Sequence, residues 1–213
     1  MTRRKLRRPP RSKPVPAERG PRHLAKGVHP AVQVLGVAAV FAAALLINLP
    51  TLRYGFLTSW DDPTYVVDNP WIRGFTRENL AFVFTRPYFA NFLPLHLVSY
   101  MVDYSFWKLN PVGYHLQSVL LNAANAVLAF WVVRRLLGGF LPALIAALLF
   151  AVHPSHVEAV AWVSIRKDVL STTFLLLTVL FYLRSIGGRA LKPGPYVPTS
   201  PRSSASRWGS CPR

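Results

Sequence analysis

The chain has 213 residues, of which 52% are hydrophobic and 15% charged, against about 25% charged in an average soluble domain. Lys and Arg total 25 against 8 Asp and Glu, for a formal charge of +17. Long unbroken apolar runs argue against a water-soluble globule, and the single cysteine, Cys211, excludes an internal disulfide and a Cys-rich zinc site. The chain has no GxGxxG and no GxxxxGK followed by Ser or Thr, so the usual dinucleotide and P-loop sites are excluded too.

In chain order, residues 1–30 hold ten Lys and Arg opposed only by Glu18. Such a segment cannot bury a core and reads as a disordered, basic cytoplasmic tail. A nucleic-acid patch is the poorer reading, because no aromatics interleave with the charges and an apolar run follows at once. Residues 31–185 read as the membrane domain of an all-α integral membrane protein. It has about four transmembrane helices plus one interfacial helix. The first, over 31–49, is long enough to cross a bilayer core. No small-residue cleavage site follows it, so it reads as an uncleaved helix. Its basic flank places the N-terminus in the cytoplasm.

Residues 50–110 are aromatic, contain Pro and carry most of the acids. They read as an extracytoplasmic loop. Within it, 93–107 places His96, Ser99 and Asp103 on one stripe of an otherwise apolar helix, which suits a helix lying in the interface. Asn110-Pro111 is a helix start, and a helix over 111–135 stops before Gly138-Gly139. On it His115, Ser118, Asn122 and Asn125 share one face, which in a membrane turns inward. Apolar runs over 137–152 and 169–184 supply the third and fourth spans. Residues 186–213 are rich in Pro, Ser, Gly and Arg and read as a second disordered tail. This topology puts eighteen of the 25 basic residues in the cytoplasm, and leaves seven basic and seven acidic residues opposite. The positive-inside bias explains that distribution without nucleic acid.

Three constellations could carry chemistry. Trp60-Asp61-Asp62-Pro63 reads first as a turn, because a residue before Pro is held extended. Its functional reading is a carboxylate at a membrane surface, poised to take a proton or hold a cation. Adjacent side chains on extended backbone point opposite ways, so at most one of the pair is a base. His153, His156 and Glu158 could offer metal ligands, although Pro154 favours helix capping and interface anchoring instead. Arg166, Lys167 and Asp168 stand where the fourth helix begins. There a helix N-terminus and two cations make an anion site, with lipid phosphate the obvious anion.

The same residues carry a resemblance. Trp60-Asp61-Asp62-Pro63-x-Tyr65-x-x-x-Asn69-Pro70 is followed by Arg86-Pro87, by Asn110-Pro111-x-Gly113-Tyr114-His115 and by Leu121-Asn122. Then come His153-Pro154-x-His156-Val157-Glu158-Ala159-Val160-Ala161-Trp162 and Arg166-Lys167-Asp168-Val169-Leu170-Ser171. Over roughly residues 35–185 this order resembles the membrane part of the transmembrane-and-tetratricopeptide-repeat O-mannosyltransferases and their bacterial relatives. The resemblance implies a GT-C helical bundle whose active site faces away from the cytoplasm. It implies transfer of a hexose, with mannose the expected sugar, from a polyprenyl- or dolichyl-phosphate donor to Ser or Thr hydroxyls of an acceptor protein, with inversion. Asp61 or Asp62 is the expected general base, Asp61 preferred. His153, Glu158, Arg166 and Lys167 are expected near the donor phosphate. No cofactor is called for, and a divalent cation is left open. The alternative is a non-catalytic multi-pass module that binds lipid phosphate or a partner membrane protein. A bacterial plasma membrane is the expected location. Members of the family continue with further helices and tetratricopeptide repeats, and this chain instead ends in its Pro/Ser/Arg tail, so it is expected to be a truncated front part of a larger transferase.

Overall fold

The computed structural model describes residues 28–186. The two expected tails therefore lie outside the described residues, save for their innermost positions. Seven α-helices follow in order: α1 Pro30–Asn48, α2 Arg77–Thr85, α3 Pro94–Trp107, α4 Pro111–Leu137, α5 Phe140–Val152, α6 Ser155–Ala161 and α7 Arg166–Ile186. No strand occurs among the described residues. Three helical stretches are long and apolar enough to cross a membrane: 30–53, 111–137 and 163–186. The bent pair α5 and α6, broken by 56°, makes a fourth if counted as one span. The protein is an all-α membrane bundle.

The central helix is α4, because its sequence has two packing faces. Ala123, Ala126 and Phe130 meet Val40 and Ala44 of α1 and Ala143, Ala147 and Ala151 of α5. Small residues let these backbones approach, which is how apolar helices associate where lipid is no worse a neighbour than Leu. Gly36 serves the same purpose: a Cβ there would lie 2.7 Å from the ring of Phe140. The ends of α4 are set locally. Asn110 accepts the Val112 N–H at 3.1 Å, and Gly138 closes the helix at φ 69°, a conformation that favours glycine.

The polar face of α4 is buried: His115, Ser118, Asn122 and Asn125 are each at most 2% exposed. It faces α7, and the segment 49–110 packs over the same end of the bundle. That end has its own core of Tyr65, Ile72, Val83, Leu97, Tyr100, Met101, Tyr114 and Val163.

The expectation for Asp62 is corrected here, and the stripe on α3 is given its direction. Helix α3 does not turn its polar stripe outward. His96, Ser99 and Asp103 are buried, while Leu95 and Phe106 on other faces are exposed. The stripe faces inward because it has partners there, chiefly Arg166. Asp62 is not extended either. Its φ of −60° and ψ of −39° are helical, and Pro63 opens a wide turn over Pro63–Val67 closed by the Asp68 N–H on the Pro63 carbonyl at 2.8 Å. Pro is well suited to a first helical position, and the tertiary bonds of the Asp62 carboxylate outweigh the local preference for extension. Helix α7 also begins three residues earlier than the apolar run, at Arg166.

Candidate functional site

The twin aspartates take opposite situations. Asp62 is fully buried and its carboxylate is saturated. One oxygen accepts the Leu57 N–H at 2.8 Å. The other accepts the Ser164 N–H at 3.0 Å and the Ser164 hydroxyl. The bonds tie the loop before α2 to the 3₁₀ turn Val163–Ile165, a hundred residues later in the chain. Asp61 is only half-buried, and its carboxylate makes no hydrogen bond with the described residues. Its main-chain carbonyl accepts the Tyr65 N–H at 2.9 Å, which fixes the residue's place on the turn. Above them Trp60 and Trp162 meet edge to face, ring centres 5.2 Å apart.

Arg166 and Lys167 also part company. Arg166 is wholly buried and forms an ion pair with Asp103. Its remaining N–H groups go to the Ser118 hydroxyl at 3.1 Å, the Tyr114 carbonyl at 2.7 Å and the Ser99 hydroxyl at 3.4 Å. The guanidinium carbon lies 4.8 Å from the ring centre of Tyr100 and 5.7 Å from that of Tyr114. Gln117, with its amide turned so that nitrogen rather than oxygen meets the carboxylate, donates to Asp103 as well. The fork geometry of Arg suits such a site, and nearly all its donors are used. Burial nevertheless dominates at Asp103: it raises the carboxyl to about 6, with Arg166 opposing.

Tyr100 links this cluster to the Asp62 loop. Its hydroxyl donates to the Val163 carbonyl at 2.6 Å. The His96 Nε2 at 2.6 Å must then be the donor to the same oxygen, which leaves Nδ1 a bare, buried acceptor. Burial, and then the Arg166 charge, lower His96 to about 3, so the ring is neutral.

Lys167 points the other way. It lines a groove of ≈ 210 Å³ between α3 and α7, with Phe92, Leu95, His96, Leu170 and Phe174 as its other walls. Mostly apolar walls and a cation with no hydrogen-bond partner among the described residues fit an amphiphile with an anionic head. His153 is exposed and occupied locally: its Nδ1 meets the Ser155 hydroxyl at 2.7 Å and accepts the Ser155 N–H at 3.2 Å, capping α6. Glu158 is exposed in the first turn of α6. Among the described residues no three His, Cys, Asp or Glu side chains come together as metal ligands.

Asp61, Asp62, Arg166 and Lys167 therefore gather at one end of the bundle, and His153 and Glu158 stand on α6 and its cap beside it. Reading the sequence alone did not find the partners. Ser164, Tyr100 and Asp103 are separated from Asp62, Val163 and Arg166 by 102, 63 and 63 positions. The one available signal was Asp103 on an otherwise apolar helix, a carboxylate that calls for a cation if that face is buried.

The chain is similar in sequence to protein O-mannosyl-transferases. The Protein O-mannosyl-transferase Tmtc1 of Drosophila melanogaster is 34% identical over 164 residues, 72% of this chain and 19% of the relative. The Xenopus laevis Protein O-mannosyl-transferase tmtc2 is 35% identical over 156 residues, 70% of this chain and 18% of the relative. The chain is a relative of the TMTC protein O-mannosyl-transferases. The Mus musculus TMTC3 is 39% identical over 97 residues, 46% of the chain. The chain spans about a fifth of the length of the first two TMTC proteins. No family model and no solved structure matches it.

Proposed function

We propose that the loop end of this bundle is the active end of a glycosyltransferase that moves a hexose, mannose by its relatives, from a polyprenyl- or dolichyl-phosphate carrier to a Ser or Thr hydroxyl of a protein. One observation carries the reading. Of two adjacent carboxylates, Asp62 is consumed by structural hydrogen bonds, and the half-buried Asp61 carboxylate has no hydrogen-bond partner among the described residues.

Asp61 is the general base. It takes the hydroxyl proton as that oxygen bonds to the sugar C1, and the C1–O bond to phosphate breaks with its electron pair leaving on the phosphate. Attack opposite the leaving group inverts C1. Asp62 holds the loop that presents Asp61. Lys167 meets the developing phosphate charge in the groove between α3 and α7, whose apolar walls take the lipid chain. Arg166 holds the first turn of α7, and so the lysine beside it. His153 and Glu158 stand on α6 and its cap, outside the lining of that groove. The N-terminus lies in the cytoplasm and the site on the opposite face, which the excess of basic residues in the N-terminal segment supports.

The test is transfer from a mannosyl lipid phosphate to a Ser/Thr peptide, in membranes that carry this segment within a longer protein. Asp61→Asn abolishes transfer while insertion is unchanged. Full transfer by Asp61→Asn removes the assignment. A second reading, a module that only binds lipid phosphate, draws on the Lys167 groove. It predicts binding of phosphate-headed lipid that Lys167→Ala abolishes, with no glycosylated product from the unmodified protein.

A further inference from the structure

The corner between α3 and α4 holds a lysine in a conformation that suits glycine. Lys108 has φ 54° and ψ −119°, and the Trp107 carbonyl accepts the Asn110 N–H at 3.0 Å. That is the first central position of a type II′ turn, where a Cβ is unfavourable and Gly is the usual residue. Neighbouring contacts enforce it: the Tyr114 hydroxyl donates to the Lys108 carbonyl at 2.8 Å, and the Asn110 side chain caps α4. Backbone strain of this kind persists only where the surroundings hold it, and it clusters at ligand sites.

The side chain says what the position is for. Lys108 Nζ lies 5.1 Å from the ring centre of Tyr104, and the Arg73 guanidinium carbon lies 5.0 Å from the same centre. Arg73 is fixed by its Nε on the Asn69 carbonyl at 3.2 Å, by one Nη on the Val67 carbonyl and by the other on the Tyr104 hydroxyl at 3.3 Å. Those bonds set its charge in place and leave it uncancelled. Two exposed cations thus share one phenol ring, and among the described residues no carboxylate pairs with either. Asp103, next to Tyr104, is spent on Arg166. Each cation is drawn to the ring and repelled by the other, so an anion beside the ring lowers the energy of both. The surroundings identify the anion. Phe106, Trp107 and Leu109 are 79%, 41% and 36% exposed, and a helix long and apolar enough to cross the membrane begins at Pro111. Exposed aromatic rings beside a lysine at the end of such a helix are the pattern of the lipid headgroup layer.

We propose that Arg73, Tyr104 and Lys108 bind the phosphodiester of an anionic bilayer phospholipid in the leaflet at the loop end, with Phe106 and Trp107 set among its headgroups. The site lies at the opposite end of α3 from the Lys167 groove, and it stands whether or not the bundle transfers a sugar. The test places the full chain in phosphatidylcholine nanodiscs that carry a phosphatidylglycerol with a photoreactive diazirine beside its headgroup, and reads the labelled peptides by mass spectrometry. Label is expected on residues 104–112, displaced by plain phosphatidylglycerol. Lys108→Gln and Lys108→Gly each lower it about fivefold, the worth of one basic residue at an anionic membrane surface, and Lys108→Arg keeps it. Lys108→Gly also gives the turn its preferred residue, so thermal unfolding stays level or rises. Lys108→Gln keeps the backbone strain and reports the charge alone. Label that is absent from 104–112, or unchanged in Lys108→Gln, overturns the site. At constant ionic strength, displacement by inorganic phosphate makes it a free-anion site, and displacement by polyglutamate makes it a docking point for an acidic protein; either result overturns the lipid assignment.

Discussion

The polar interior has two regions, built from similar residues with opposite outcomes. Around Arg166 the charges are closed: Asp103, Ser118, Ser99, Gln117 and the Tyr114 carbonyl use nearly every donor and acceptor. Around the break between α5 and α6 they are open: Asn122 and Asn125 keep unpartnered atoms, and His153 and Glu158 are exposed. Burial of charge therefore does not by itself mark the place where chemistry happens. A saturated cluster is framework, and the exposed side chains beside it are the ones a ligand can reach.

That contrast can be broken by mutation. The largest effect is expected at Asp103. Asp103→Ala strands a buried guanidinium and lowers stability by about 3–5 kcal/mol, read as loss of folded protein on denaturant titration in detergent. Replacing both partners, Asp103→Leu with Arg166→Met, recovers most of that loss. Recovery by Asp103→Ala alone would show that the cluster is open after all.

Asp62→Ala comes next. It leaves the Leu57 and Ser164 N–H groups without acceptors, for about 1–3 kcal/mol each at most, and hydrogen exchange at those two amides rises. Protection that stays unchanged would detach Asp62 from the framework.

The pH dependence is subtler, because two groups of the closed region oppose each other. His96, lowered to about 3, binds fewer protons folded than unfolded, so its contribution to stability is lost as pH falls from 6.5 toward 3. Asp103, raised to about 6, binds more protons folded, so its contribution is lost as pH rises from 3.8 through 6. Between pH 4 and 6 the two slopes largely cancel. His96→Gln leaves a protein more stable at pH 4 than at pH 6, and Asp103→Asn leaves the reverse. Parallel profiles for the two variants would refute both assignments.

The smallest effects on stability belong to the open side. Asp61→Asn and Lys167→Ala each stay within about 0.5 kcal/mol. Their consequences are functional: loss of transfer for the first and loss of phosphate-headed lipid for the second. A drop in stability comparable with that of Asp62→Ala would place either residue in the framework.

Much of the bundle was legible because its signals are local. An Asn-Pro start, a Gly stop and a stripe of His115, Ser118, Asn122 and Asn125 every three or four residues require no knowledge of the rest of the chain. The site was less so. Sequence order made Asp61 and Asp62 near equals and Arg166 and Lys167 a matched pair. Only tertiary contacts separated them: the turn at Ser164 claims Asp62, and the packing of α3 and α7 against α4 encloses Arg166. The stripe on α3 shows the limit most clearly. Its period predicts a helix with one polar face, but period cannot say whether that face meets water or a buried cation.

Hydrophobic run length and helix-end chemistry thus determined that this chain is a membrane bundle and roughly where its helices lie, since each depends on neighbours within a turn or two. Which carboxylate is spent and which is free, and which cation is enclosed and which faces a groove, was decided by contacts across 63 to 102 residues. Those contacts depend on how helices dock, and a buried charge takes whichever partner docking brings within reach.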